Sequence, residues 1–466
     1  LEFRRVLFRS SVEASRAAFC KLFIPGAVAL LTNALGFAVI MIIDIPIVRE
    51  LGITACIGVL LMIVTNKMIL PIALTYVKLE ESSRQNSLKP DSPFRSALWK
   101  AIAKCAEPRF ALMIFALSIV LLAGASWQSR SLVIGDLGKG VPELRPDSRY
   151  NQDDATINKT YNIGTDVLTV IAEAKDFEGD SCLHYEVVDL IDRFELYMRG
   201  VDGVQSVTAV GGIGKLVISA FNEGNPRWRA LPRTQTGLSA GSKAFDPNLG
   251  LNNESCRAIQ IMVFMKNHDG TVIAHAIEEV KRFIADNPVE GVNLRLASGN
   301  VGVMAATNEE VHRLEKPILY IVYAGIILCV FLSFFEWQSL VAIMLPLGLV
   351  SWMAYAVMAV LGIGMKVAIL PVVALAAGVG VDYGIYVYAT FADALAAGFK
   401  TREAYLKTLK LTGKAVIFTG ITLSLGVLTW LWSGLQFQRD MGKLLVFMFT
   451  DNMFGAILLL PAIASF

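Results

Sequence analysis

Charge is scarce in this chain: Asp, Glu, Lys and Arg make up 18% of its 466 residues, against 55% hydrophobic residues. That leaves too little polar surface to cover a water-soluble protein of this length, and a mean hydropathy of +0.55 points to a membrane protein. The formal net charge of +2 provides no basic field for a nucleic-acid partner. Four histidines without ligand spacing and six cysteines without a CxxC pair exclude a dedicated zinc or redox site. Nucleotide loops are missing too. GGIGKL (211–216) fails as a phosphate loop because Ala209 stands where the first glycine belongs and Leu216 follows the lysine. GVGVDYG (378–384) fails as a dinucleotide fingerprint because Tyr383 replaces the third glycine and no strand precedes it. No cofactor is expected, and any energy source must come from elsewhere.

Long apolar runs are abundant. Eight reach the roughly 17–25 residues that cross a bilayer: 24–43, 51–77, 110–127, 318–336, 339–362, 367–391, 415–434 and 441–464. The basic connections orient them. Segment 78–109 carries seven Lys/Arg against four acids, and 392–414 carries five against two. The short loops 44–50, 363–366 and 435–440 carry one basic residue each. The positive-inside rule then places both basic segments in the cytoplasm and 128–317 outside.

The outer segment reads as an α+β domain. DVLTVIAEA (166–174) and AIQIMVFM (258–265) have strand character. Each precedes a helical stretch, 184–199 or 271–286, and then a short strand, VQSVTAV (204–210) or VNLRLAS (292–298). Two β-α-β units predict a ferredoxin-like fold, with 222–255 as a long loop or hairpin insertion. Cys182 and Cys256 both fall here and are a candidate disulfide. Asn158 and Asn253 fit glycosylation sequons, relevant only in a eukaryotic lumen. No nucleophile–base pair or metal set appears in 128–317, so an enzyme is not expected.

An internal repeat runs through the chain. Residues 11–76 align without gaps to 401–466 at an offset of 390, with nine identities that include Arg49/Arg439, Gly52/Gly442 and Pro71/Pro461. The helix pair that opens the chain is thus the expected repeat partner of the pair that closes it. The first residues, LEFRRVLFRS, do not match FADALAAGFK (391–400) and are expected to be a junction artefact. The chain begins with Leu and ends inside an apolar stretch, so it reads as a fragment.

Chemistry concentrates at GVGVDYGIYVY (378–388), where Asp382 lies mid-run. A charge at that depth costs about 2.5–3.5 kcal/mol and commonly marks a partner, a water path or a proton relay. Asp382 with Tyr383 forms the candidate relay, and Gly378, Gly380 and Gly384 would let a neighbouring helix approach closely. The bland alternative is a structural aspartate hydrogen-bonded inside the bundle. Thr419, Thr422 and Ser424 on the next helix are candidate lining groups, although such hydroxyls more often bond their own helix. Asp451 and Asn452 are candidates for a second relay site or, the favoured reading, a helix–helix polar contact, and Lys67 reads as a snorkelling residue.

A large extracytoplasmic domain set between helices of a duplicated bundle resembles the resistance-nodulation-division (RND) superfamily. GVGVDYGIYVY looks like the Asp-Tyr motif of its mycobacterial-membrane-protein-large (MMPL) branch, and GVPELRPDSRYNQD (140–153) is similar to exporters of that branch. The resemblance implies that 11–77 holds helices five and six of twelve and that 78–109 is a cytoplasmic linker. It further implies that 110–127 is helix seven, 128–317 a periplasmic porter domain, and 318–466 helices eight to twelve. It also implies proton antiport through Asp382 and Tyr383, a lipid or other hydrophobic substrate, and a bacterial inner-membrane location. The expected partners are protons, that substrate, the absent N-terminal half with the relay's counterpart, and further copies of the chain in a homo-oligomer. The alternatives are a Patched-like lipid or sterol sensor that does not pump, and a protein-translocation accessory.

Overall fold

The computed structural model describes residues 11–76, 92–138, 140–242 and 250–465. The proposed junction, 1–10, and residues 78–91 of the linker lie outside the described residues. The chain divides into two compact units, one holding residues up to 132 with 310–433 and 437–466, the other 133–309 with 434–436.

The first unit opens with α1 (Ser11–Ile40) and α2 (Pro46–Tyr76). The rest of the linker region forms a short helix, α3 (Pro93–Ile102), capped by Ser92, whose hydroxyl accepts from the Arg95 amide. α4 (Pro108–Gln128) follows.

In the second unit, α5 (Arg149–Thr160) leads into β1 (Val167–Ala174), α6 (Tyr185–Met198) and β2 (Val204–Thr208). Then come α7 (Val210–Phe221), α8 (Gln235–Ser242), β3 (Ala258–Met265), α9 (Gly270–Asp286) and β4 (Val292–Ser298). The four strands form one antiparallel sheet in the order β2-β3-β1-β4. Two interleaved β-α-β units produce this order, the ferredoxin-like arrangement. β3 alternates buried and half-buried residues because one face carries the core, where Leu190, Phe194, Val280 and Phe283 of α6 and α9 pack.

The region after β2 differs from the expectation. Within 222–255 the described residues form no hairpin: they are irregular backbone broken by a 3-10 turn at Pro226–Trp228 and by α8, with 243–249 outside the described residues. The longer helix of the insertion, α7, precedes them. The glycines of GGIGKL explain how α7 is seated. A Cβ on Gly211 would press on Asp192, and one on Gly212 on the Glu195 carboxylate, so bare backbone lets α7 lie against α6. Lys215 donates to Asp192 at 2.6 Å, and the Gly212 amide donates to Glu195 at 3.0 Å. The motif is thus a helix-packing device. Burial outweighs the neighbouring cations and holds the Glu195 carboxyl above the usual range.

Cys182 and Cys256 are joined in a disulfide, with Cα atoms 5.5 Å apart. At the other end of the β1/β3 pair lies a buried pair, His268 and Asp166, with Nδ1 to Oδ2 at 3.0 Å. Burial lowers the His268 pKa, but the hydrogen bond and charge of Asp166, with Asp136 and Asp269 behind it, raise it on balance. The protonated form is therefore favoured on folding. Its contribution is complete below about pH 6.5 and is lost as pH rises through the elevated folded-state value. Thermal unfolding should show stability falling from pH 6.5 toward pH 8.5, with the slope reduced in His268→Gln. An unchanged slope would remove His268 as its source.

α10 (Asn300–Phe334) begins in the second unit and continues into the first from 310, followed by α11 (Trp337–Leu361), α12 (Leu370–Ala396), α13 (Thr401–Trp432) and α14 (Gln436–Ile463). The expected boundary at 317/318 falls inside α10, which runs on unbroken. Eight helices are long and apolar enough to cross a membrane among the described residues. α12 is the central one: 71% of its apolar window is buried, against 11% for α2, α4 and α13. The latter three present their apolar faces outward, as lipid-facing helices do.

The repeat has structural counterparts. α2 starts at 46 and α14 at 436, 390 apart, and α1 and α13 overlap under the same offset. The same offset relates a π-helical turn at Thr65–Ile69 in α2 to one at Gly455–Leu459 in α14. Such turns disturb the backbone hydrogen-bond ladder and often occur at functional positions. In α14 the Tyr405 hydroxyl donates to the Ile457 carbonyl within that turn.

Candidate functional site

α12 has a proline at its start and small or apolar residues through most of its length, so it packs close to its neighbours. Its glycines show how close. A Cβ on Gly378 would lie 2.2 Å from Asn33 Oδ1 of α1, and one on Gly380 2.5 Å from Asn452 Oδ1 of α14. One on Gly384 would lie 3.1 Å from Ile343 of α11. The three glycines therefore serve three different helices, where the sequence predicts close approach of a single neighbouring helix. Asn452 also donates to the Ala376 carbonyl at 3.2 Å, a polar contact between α14 and α12.

Asp382 lies between these contacts. Asn33 Nδ2 donates to Asp382 Oδ2 at 2.9 Å and to its own helix at Ala29 at 3.1 Å. Asp382 Oδ1 and the Tyr383 hydroxyl are shielded and have no hydrogen-bond partner among the described residues. Both residues line a largely apolar cavity of about 800 Å³ enclosed by α1, α2, α12 and α13.

Lys67 lines the same cavity and interacts electrostatically with Asp382. It does not snorkel away as expected. Gly26 explains its inward path: a Cβ there would stand 1.8 Å from Lys67 Nζ and 2.7 Å from the Tyr386 hydroxyl. Only a glycine leaves room for the ammonium at that point. Lys67 and Asn66 both belong to the π-helical turn of α2, and Thr412, also lining the cavity, belongs to a second one at Leu409–Gly413. Two irregular turns thus aim polar groups at one space.

Of the hydroxyls singled out in the sequence, Thr419 lines the cavity. Thr422 and Ser424 do not: Thr422 is exposed, and Ser424 is 3.0 Å from the Thr450 hydroxyl of α14. For Ser424 helical periodicity accounts for this, since a position five residues past 419 points well away from it. Sequence reasoning missed Asn33, Asn66, Tyr386 and Thr412. Tyr386 was detectable, because it follows Asp382 by four residues on one face. Asn33 and Lys67 carried a subtler signal, since their repeat equivalents at an offset of 390 are the apolar Leu423 and Ile457.

Gly378→Val should push α1 off α12, break the Asn33–Asp382 bond and cost about 1–3 kcal/mol by overpacking. Gly348→Ala, where nothing lies within 4 Å, is the control and should be neutral. Detergent-solubilised melting curves of both variants test this, and equal curves would refute the close-approach role.

Among the described residues no group of three or more His, Cys, Asp or Glu is placed to hold a metal ion. Residues 250–466 match the model of the MMPL family, a span that begins just before β3 and includes Asp382 and Tyr383. No curated protein matches the chain.

Proposed function

We propose that this chain, whose residues 250–466 match the model of the MMPL family, is an RND-type membrane transporter that exports a lipid or other hydrophobic substrate using the proton gradient. The observation that carries the proposal is Asp382, a carboxylate with one oxygen held by Asn33 and the other without a partner among the described residues. It borders a cavity inside a bundle of membrane-length helices.

In this scheme Asp382 Oδ1 takes up the proton. The uncharged acid then attracts Lys67 less, and the Asn33 bond that ties α12 to α1 weakens, because a carboxylate accepts more strongly than a carboxylic acid. Helices α1, α2 and α12 are the elements whose packing responds. One charge moved through 100 mV supplies about 2.3 kcal/mol, enough to bias two packings of a bundle. We place the chain in a bacterial inner membrane with the ferredoxin-like domain in the periplasm, where its disulfide is chemically at home.

The test is the intact gene product in proteoliposomes under an imposed pH gradient, with candidate lipids as substrate. Substrate-dependent proton flux is expected. Substrate binding with no flux under any gradient would favour a sensing role and overturn transport.

A further inference from the structure

The helical insertion of the ferredoxin-like domain encloses a cavity of about 500 Å³, within the 300–1,000 Å³ typical of small-molecule sites. Its walls are chiefly apolar: Ile218 and Phe221 from α7, Trp228 and Leu231 from the following turn, and Ala240 from α8. Phe221 and Trp228 remain 69% and 55% exposed, an unusual placement for two large rings on a domain whose core is already filled by other residues. Arg227 lines the same cavity. Between Asn222 and Arg233 three arginines stand against one acid, Glu223. Arg233 stacks over Tyr185 at 5.8 Å, while Arg227 and Arg229 have no ion pair among the described residues.

We propose that this cleft binds a single-chain anionic amphiphile of the fatty-acid kind. Its hydrocarbon lies against Ile218, Phe221, Trp228 and Leu231, and its carboxylate meets the guanidinium of Arg227 with Arg229 close by in sequence. An apolar pocket with a cationic rim matches that ligand better than a neutral lipid, which would leave the arginine rim unpaired. Binding stands independently of transport. Only its use as a station for exported substrate rests on the function proposed above.

The experiment uses the full chain in nanodiscs of zwitterionic lipid, with palmitate carrying a photoreactive diazirine at its methyl end. Peptide mass spectrometry locates the label. Labelling within residues 218–240 is expected, and Ala240→Trp, which fills the cavity, should suppress it. Joint Arg227→Gln and Arg229→Gln substitutions should weaken palmitate labelling about tenfold but leave labelling by the matching hexadecanol probe unchanged. Asp382→Asn should label like wild type, so the binding site and the proton relay fail separately. Label confined to the membrane-spanning helices, equal capture of palmitate and hexadecanol, or chain-to-chain crosslinks through 218–240 in place of lipid label would each overturn the proposal.

Discussion

Proton flux in an Asp382→Asn variant should fall to the leak of protein-free liposomes, while expression and melting temperature stay near wild type. Asparagine has the shape of aspartate, and its carbonyl can still accept from Asn33 Nδ2, so the contact between α12 and α1 survives. What disappears is the proton-binding oxygen. Normal transport by this variant would make the carboxylate structural and end the relay scheme. Lys67 gives a second, independent arm. Lys67→Met leaves Asp382 without the cation that acts on it, so the buried charge loses a stabilising partner and the variant should melt below wild type. Adding Asp382→Asn to Lys67→Met removes the orphaned charge, so the double variant should melt higher than Lys67→Met alone. If the two effects simply add, the groups are not coupled and Lys67 has no part in the site.

Loss of the Cys182–Cys256 disulfide should be the largest stability effect in the second unit. The bridge closes a loop spanning 74 residues, linking the turn before α6 to the entry of β3. A loop of that size corresponds to about 4 kcal/mol of denatured-state restriction, or roughly 10 °C of melting temperature for a domain of this size. The bridge also fixes Cys256, whose φ of 49° is uncommon for a residue with a side chain. Cys182→Ala with Cys256→Ala, compared with wild type under reducing and oxidising conditions, reads this directly. Wild type should lose stability in reductant and the double variant should not respond. Equal melting of all four samples would mean that the sheet and the α6/α9 core hold the unit without the bridge.

Much of the architecture was legible because it depends on local pattern. Eight membrane-length helices follow from run length alone, since a bilayer accepts only segments that satisfy their own backbone. The strand character of 166–174 and 258–265 was legible in the sequence, and the two became the central pair of the sheet. The repeat, visible in nine identities, anticipated that the helix pair opening the chain recurs at its end. Other features were settled by packing. GGIGKL and the residues after it became helices because glycines opposite Asp192 and Glu195 allowed close approach, and no local propensity announces a partner. The membrane helices are apolar all round, so periodicity carries no information about which side faces lipid and which faces another helix. The facing of Asn33, Lys67 and Tyr386 toward Asp382 was therefore decided by tertiary structure, where Gly26 and Gly378 make room and buried polar groups require partners.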